Sequence, residues 1–304
     1  MNGLCIGLNL MLNSCIHAVN EKHKLIHGLI LGMLYTNIKC EKTMRISFIG
    51  AGRVAYHLAK ALSMAHQIVQ IYSRTAKSAQ ILAAQVGAEA QTAVNELDPN
   101  VDIVIISVTD QAIPSVIAEI HQHFANALIV HTSGSTDMHV LSQLHRRAGV
   151  FYPLQTFSLD THIDWSDTPI FVEASSEQDL IFLQQLANQL SEHVYCYTSA
   201  QRLSLHLAAV FACNFSNYCY DMAKQIVDAE QVDFSLLYPL ILKTANKATH
   251  SEPKQMQTGP AMRGDQNILT LHQHMLKESK REDLAVVYRM MSEQILQAHQ
   301  SEKI

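Results

Sequence analysis

From residue 44 onward the apolar positions alternate between two spacings. Arg45 to Ile49 (RISFI) is a short β-branched and aromatic run of the kind a buried strand needs. From Val54 the apolar residues Val54, Leu58, Ala61 and Leu62 recur at helical spacing. The same switch repeats down the chain. Gln67–Tyr72 predicts a second strand, Lys77–Val86 a helix and Ala88–Ala90 a brief strand. Val101–Val108 is a nearly continuous apolar run, which suits a parallel strand buried on both faces. Ala112–His123 (helix), Ala127–His131 (strand), Leu141–Arg147 (helix) and Gly149–Tyr152 (strand) extend the series. Ile170–Glu173, Ser176–Leu190 and Val194–Tyr197 complete it as strand, helix, strand. This alternation predicts an α/β fold, a doubly wound and mostly parallel sheet with helices on both faces.

After Thr198 the strand signals stop. Ala200–Val227 and Phe234–Thr249 are long helix-like stretches, and Thr258-Gly259-Pro260 breaks the chain. Asp265 stands where it would cap a helix over Asn267–Lys277, and Glu282–His299 makes the last helix. The chain thus divides into an α/β domain over 44–198 and an all-α domain over 199–304. Residues 1–43 follow neither pattern. Leu4–Val19 is interrupted by Asn9, Asn13, Ser14 and His17, and Ile26–Tyr35 is a second short apolar run. Both fall short of the roughly 18–20 clean apolar residues of a membrane span. The start also lacks the basic region and A-x-A site of a secretory signal. We expect 1–43 to be an N-terminal extension outside the fold, from an early assigned start codon; a membrane or targeting anchor is the competing reading.

Composition narrows the function classes. Of 304 residues 48% are hydrophobic and 16% charged, and the net charge of −5 comes from 27 acidic against 22 basic residues. No basic stripe marks a nucleic-acid partner. Six cysteines without a C-x-x-C pair read as reduced thiols of a cytoplasmic protein, and 17 histidines show no metal-ligand spacing, so no metal is expected.

The turn between the first strand and helix carries chemistry. Gly50-Ala51-Gly52-Arg53-Val54-Ala55 has the form G-x-G-x-x-A. Gly50 permits a tight turn, Gly52 lets backbone approach a pyrophosphate, and Ala55 lets helix pack close to strand. The phosphates of a dinucleotide would then lie on free N–H groups at the helix N-terminus. At the end of the second strand, Ser73 and Arg74 stand 23 and 24 positions after Gly50, where an NAD site places an acid. Arginine there pairs with a 2′-phosphate, so NADP is expected in preference to NAD. A surface arginine is the plainer reading. Ser107 to Asp110 (SVTD) ends the fourth strand, where an open sheet lines its ligand crevice, and Val108 and Thr109 would lie along the ribose and nicotinamide, with Ser107 beside them. His131 to Ser135 (HTSGS) ends the next strand, with Ser133 and Gly134 as substrate-side candidates or as an ordinary turn.

In the helical half, His206 and Asn214 stand in the small and apolar run HLAAVFACNF. Eight residues of α-helix turn about 800°, which leaves the two roughly 80° apart. A histidine and an amide can orient a carbonyl or imine and supply its proton; a hydrogen bond inside a helical bundle is the alternative. In TGPAMRGD, Arg263 can clamp a carboxylate or phosphate, or it can staple to Asp265 beside a helix cap.

IGAGRVAYHLAKAL, SRT, SVTDQAI, HTSGS, YPLQTF, HLAAVFACNF and TGPAMRGD together resemble the Rossmann-like family with a C-terminal DUF2520 domain, the short-subunit dehydrogenase-like oxidoreductases. The resemblance implies a fold similar to 6-phosphogluconate dehydrogenase-like enzymes, such as pyrroline-5-carboxylate and ketopantoate reductases, with an all-α second domain that packs on the cleft and builds a homodimer. YPLQTF departs from relatives in which His precedes the proline, since Tyr152 precedes Pro153 here. The helix lysine of hydroxyacid dehydrogenases is also missing, with His206 nearby instead. The implied activity is NADP-dependent hydride transfer to a small carbonyl or imine, with no nucleic-acid or membrane partner. Gly50, Ala51, Gly52, Arg53, Val54, Ser73, Arg74, Ser107, Val108 and Thr109 would hold the cofactor. His206, Asn214 and Arg263 would be catalytic, and Ser133, Gly134, Gln155 and Asp265 would meet the substrate. A non-catalytic NADP-binding sensor or scaffold is the alternative.

Overall fold

The structure, a computed structural model, describes residues 43–300. The expectations for 1–43 therefore fall outside the described residues, Thr43 apart. The chain opens with β1 (Arg45–Ile49), α1 (Arg53–Leu62), β2 (Gln67–Tyr72), α2 (Ala76–Val86) and β3 (Glu89–Gln91). It continues with β4 (Ile103–Ile106), α3 (Ile113–Ile120), β5 (Leu128–His131), α4 (His139–Ser142), β6 (Ala148–Pro153), β7 (Ile170–Ala174), α5 (Glu177–Asn188) and β8 (Val194–Cys196). Local chemistry ends these elements where it should. Gly87 closes α2 at φ +68°, and Ser176 caps α5 by accepting the Asp179 N–H at 3.2 Å.

The eight strands form one sheet in the order β3-β2-β1-β4-β5-β6-β7-β8. Every neighbouring pair is parallel except β6–β7, where Tyr152 faces Phe171 across an antiparallel register. The doubly wound, mostly parallel α/β fold expected from the alternation is present. Period-two side chains split the apolar residues between the two faces. Ile103 and Ile105 of β4 join a core with Leu58 of α1, Leu82 of α2 and Leu183 of α5. Val104 and Ile106 join a second core with Ile113 and Ile117 of α3. From β1 the chain runs out to β2 and β3, then returns to place β4 on the other side of β1. Ligands bind at the carboxyl ends of the strands at such a switch point.

Some elements differ from the pattern in the sequence. β4 is confined to Ile103–Ile106, since the Ser107 N–H already closes onto Ile49 O at 2.8 Å. The helix expected over Leu141–Arg147 is one turn, His139–Ser142. His145 and Arg147 are drawn away to Ala127 O (2.8 Å) and to Asp179 and Asn126, as the chain turns into β6.

The described chain forms two compact units that divide between Leu207 and Ala208. Strands end at Cys196, and α6 (Ser199–Ala209) follows them. Within the first unit α6 is held by Arg202, whose side chain is 1% exposed. Its guanidinium donates to Glu173 of β7 at 2.5 Å, to Thr136 O and to Ser199 Oγ at 3.1 Å.

The second unit is helical. A π-helical stretch, Val210–Phe215, runs into α7 (Ser216–Ala229). It is followed by α8 (Tyr238–His250), α9 (Pro260–Arg263), α10 (Gln266–Glu278) and α11 (Glu282–Gln300). The wide π turns correct the α-helical count between His206 and Asn214, because each residue there adds less rotation than in an α-helix. The buried apolar residues described in this unit are Met222, Ala261, Leu269, Leu284 and Ala285, whereas Phe211, Leu236, Leu240 and Leu242 are each more than 60% exposed. Among the described residues no helix is long and apolar enough to cross a membrane.

Candidate functional site

The first unit carries a cleft of about 760 Å³ over the carboxyl ends of β1, β2, β4 and β5, within the roughly 300–1,000 Å³ usual for ligand sites. Its β1–β2 end is made mostly of backbone. Gly50 adopts φ +115° and donates its N–H to Tyr72 O at 2.8 Å. A Cβ on Gly50 would run into Ser107 O and come within 2.7 Å of Ser107 C. Glycine is therefore what lets the turn cross the end of β4. Gly52 is different. Its φ is −81°, and a Cβ there would meet no protein atom within 4 Å. Protein packing does not demand glycine at this position, and the space above the backbone is open to a ligand. Gly52 begins α1 with no side-chain cap and no acid in the first turn, so the leading N–H groups are left for an anion. Arg53 and Val54 follow on that turn. Ser73 and Arg74 line the same end from β2, with Arg74 exposed and Glu119 across the lining. These residues fit a dinucleotide carrying a 2′-phosphate.

The opposite end is made of side chains. Ser107 is buried, and its Oγ accepts from Thr132 Oγ1 at 3.2 Å. Ser133 turns inward, and its Oγ accepts the N–H groups of Ser135 (3.1 Å) and Thr136 (2.9 Å), which fixes the loop after β5. Gly134 is the meeting point. A Cβ there would lie 2.6 Å from His206 Nδ1 and 2.7 Å from Tyr152 Cζ. The Tyr152 hydroxyl and His206 Nδ1 are 3.3 Å apart. Burial, then the nearby Asp110 charge, pushes the Tyr152 phenol up to about 12, so it stays protonated. The phenol and Nδ1 thus share a hydrogen bond whose direction follows the imidazole tautomer, since a protonated phenol can either donate or accept. Beneath the loop His131 is buried and neutral. Burial, then the Arg202 cation, pushes it down to about 3, and its Nδ1 accepts the Ser133 N–H at 3.1 Å.

The structure brings together Gly50, Ala51, Gly52, Arg53, Val54, Ser73, Arg74, Ser107, Val108 and Thr109, and with them Ser133, Gly134, Gln155 and His206, all as lining of this cleft. Asn214, Arg263 and Asp265 belong to the second unit. There Asp265 Oδ1 accepts the Ile268 N–H at 3.3 Å, so the helix cap is formed. Arg263 closes the one-turn α9, between Gly259 at φ +109° and Gly264 at φ +71°. Among the described residues no ion pair joins Arg263 to Asp265, and no group of three metal-ligand side chains occurs.

Three residues escaped the sequence reading of the site. Tyr152 was visible only as the partner of Pro153. Arg202 resembles any helix-surface arginine, its sole signal being a position four before His206. Asp110 closes the SVTD motif but has no local mark of its own. Each acts through partners at least 25 positions away, apart from the short-range Arg202–Ser199 bond.

Residues 45–134 match the model of NADP oxidoreductases described as coenzyme F420-dependent, and residues 168–295 match the domain of unknown function DUF2520. No curated protein matches the sequence. Among solved structures, a Bacteroides fragilis protein assigned as an NADP oxidoreductase is 42% identical over 84% of this chain and 98% of its own, with a TM-score of 0.77. A Thermotoga maritima protein is 23% identical over 85% of this chain and all of its own (TM-score 0.62). An imine reductase from Myxococcus stipitatus in complex with NADP+ is 15% identical over 84% and 94% (TM-score 0.63). The last two share the fold. The first, at its identity and coverage, shares descent, and the chain belongs to the family of Rossmann-type oxidoreductase enzymes that join an NADP oxidoreductase domain to a DUF2520 domain.

Proposed function

We propose that this oxidoreductase uses NADP(H) and acts on a small carbonyl or imine. One observation carries the reading: a cleft at the β1–β4 switch point has an uncapped, glycine-opened helix at one end and a hydrogen-bonded Tyr152–His206 pair at the other. The bound nicotinamide supplies or accepts a hydride. The chain does the rest. The α1 N-terminus takes the pyrophosphate charge, and Ser73 and Arg74 take the 2′-phosphate. Ser107, Val108 and Thr109 flank the ribose. Ser133, Gly134 and Gln155 line the substrate side. His206, oriented by its Nδ1 contact with Tyr152, supplies a ring proton to a carbonyl oxygen or imine nitrogen. Free thiols at Cys196, Cys213 and Cys219 accord with a reducing cytoplasm.

A fluorescence titration of the full chain with NADPH and NADH tests this. NADPH binds more tightly, and Arg74→Asp removes the preference, by about tenfold or more for a charge-assisted contact. Equal binding, or binding of neither, refutes the cofactor assignment. We also propose a homodimer through the helical domain, supported by the exposed Phe211, Leu236, Leu240 and Leu242. Sedimentation across a dilution series should show a dimer at micromolar concentration, and a monomer throughout would refute it.

A further inference from the structure

Charge is distributed unevenly along the cleft. Arg53 and Arg74 line the β1–β2 end. Glu119 also lines the cleft, and its charge is felt at Tyr72 on β2, so it belongs to that same end. At the β4–β5 end the ionisable lining groups are Asp110, Tyr152 and His206. Among the described residues of the first unit the cation whose charge reaches Tyr152 is Arg202, which cannot meet a ligand. Its side chain is 1% exposed, and its guanidinium is taken up by Glu173, Thr136 O and Ser199. Asp110 is exposed and anchored: its Oδ2 accepts the hydroxyl of Ser135, the residue after Gly134. The buried Arg202 outweighs this carboxylate at His131, but at Tyr152, on the cleft side, the Asp110 charge is the larger of the two. Among the described residues of the first unit, a substrate carboxylate entering here meets Asp110 and no accessible cation. A nitrogen cation meets a counter-charge.

We propose that the β4–β5 end of the cleft takes a substrate whose reacting group is an amine or protonated imine, and disfavours carboxylates, with Asp110 as the residue that sets this choice. The inference rests on the NADP(H) reading of the cleft, because the bound dinucleotide leaves this end to the substrate. It narrows the carbonyl-or-imine class to its nitrogen members. Asp110 acts through its charge and need not touch the reacting atoms.

The test is a binding experiment on the full chain. First NADP+ affinity is measured for the wild type and Asp110→Asn, which keeps an acceptor for Ser135. Each protein saturated with NADP+ is then titrated with pyrrolidine hydrochloride and, separately, with sodium pyruvate. The expected result is saturable pyrrolidinium binding, weakened about two- to fivefold by Asp110→Asn as an exposed charge pair predicts, with no pyruvate binding. NADP+ affinity should be unchanged in the variant. Tighter binding of pyruvate than of pyrrolidinium overturns the proposal, as does absence of pyrrolidinium binding. An equal loss of NADP+ affinity in Asp110→Asn also overturns it, since Asp110 then serves the cofactor. Failure of the wild type to bind NADP+ refutes the cofactor reading itself, and the inference falls with it.

Discussion

At the β1–β2 end the cleft is built mostly of backbone. Gly50, Gly52 and the first turn of α1 lie within a few residues of one another, and Ser73 and Arg74 arrive on the neighbouring strand. At the other end the chain uses side chains from three separated segments. Gly134 follows β5, Tyr152 sits on β6 and His206 on α6, and a buried Arg202–Glu173 pair fixes the helix that carries His206. The first construction depends on what is missing at two glycines. The second depends on long-range bonds, each of which can be broken singly. A backbone site tolerates changes to the surrounding core as long as the turn survives. A side-chain site is only as precise as its supports.

The largest expected effect therefore comes from a support rather than from a lining residue. Arg202→Met should cost about 3–5 kcal/mol, because it leaves Glu173 without the cation of a buried pair. Urea unfolding measures the loss, and Glu173→Leu added to Arg202→Met should restore part of it. A change below about 1 kcal/mol would mean that the pair does not anchor α6.

The two cleft glycines sharpen the contrast with smaller effects. Gly134→Ala forces a Cβ against His206 and Tyr152, at about 1–3 kcal/mol for overpacking. It should shift the His206 imidazole resonances while leaving NADPH affinity nearly unchanged. Gly52→Ala should behave in the opposite way. Its φ suits alanine and its Cβ meets no protein atom, so stability should stay within about 0.5 kcal/mol. NADPH affinity should still fall, because the methyl group occupies the space a phosphate needs. If Gly52→Ala binds NADPH as the wild type does, the glycine turn is not a phosphate cradle.

The same contrast explains what could be read from the sequence. The strand–helix alternation and the G-x-G-x-x-A turn are local patterns, and β1, β2 and α1 appear almost where the spacing puts them. The cofactor end was legible for that reason. Ser133, Gly134 and His206 were legible as candidates, since a polar strand end and a lone histidine in an apolar run both stand out. Their meeting at Tyr152 was not. Nothing in YPLQTF says that its tyrosine faces a residue 54 positions later. The π-helical stretch at Val210–Phe215 was hidden too, because period-3.6 counting assumes the geometry that fails there.

The two margins of the sheet carry a consequence for the crowded cell. An eight-stranded sheet with long, flat borders would invite stray chains to add on by main-chain pairing. Here the borders are β3 and β8, three residues each, and β3 carries Glu89 and Gln91. So short a border offers a stranger only a few amides and carbonyls, too few to seed an ordered stack. Among the described residues the sheet of this enzyme is in that respect self-terminating.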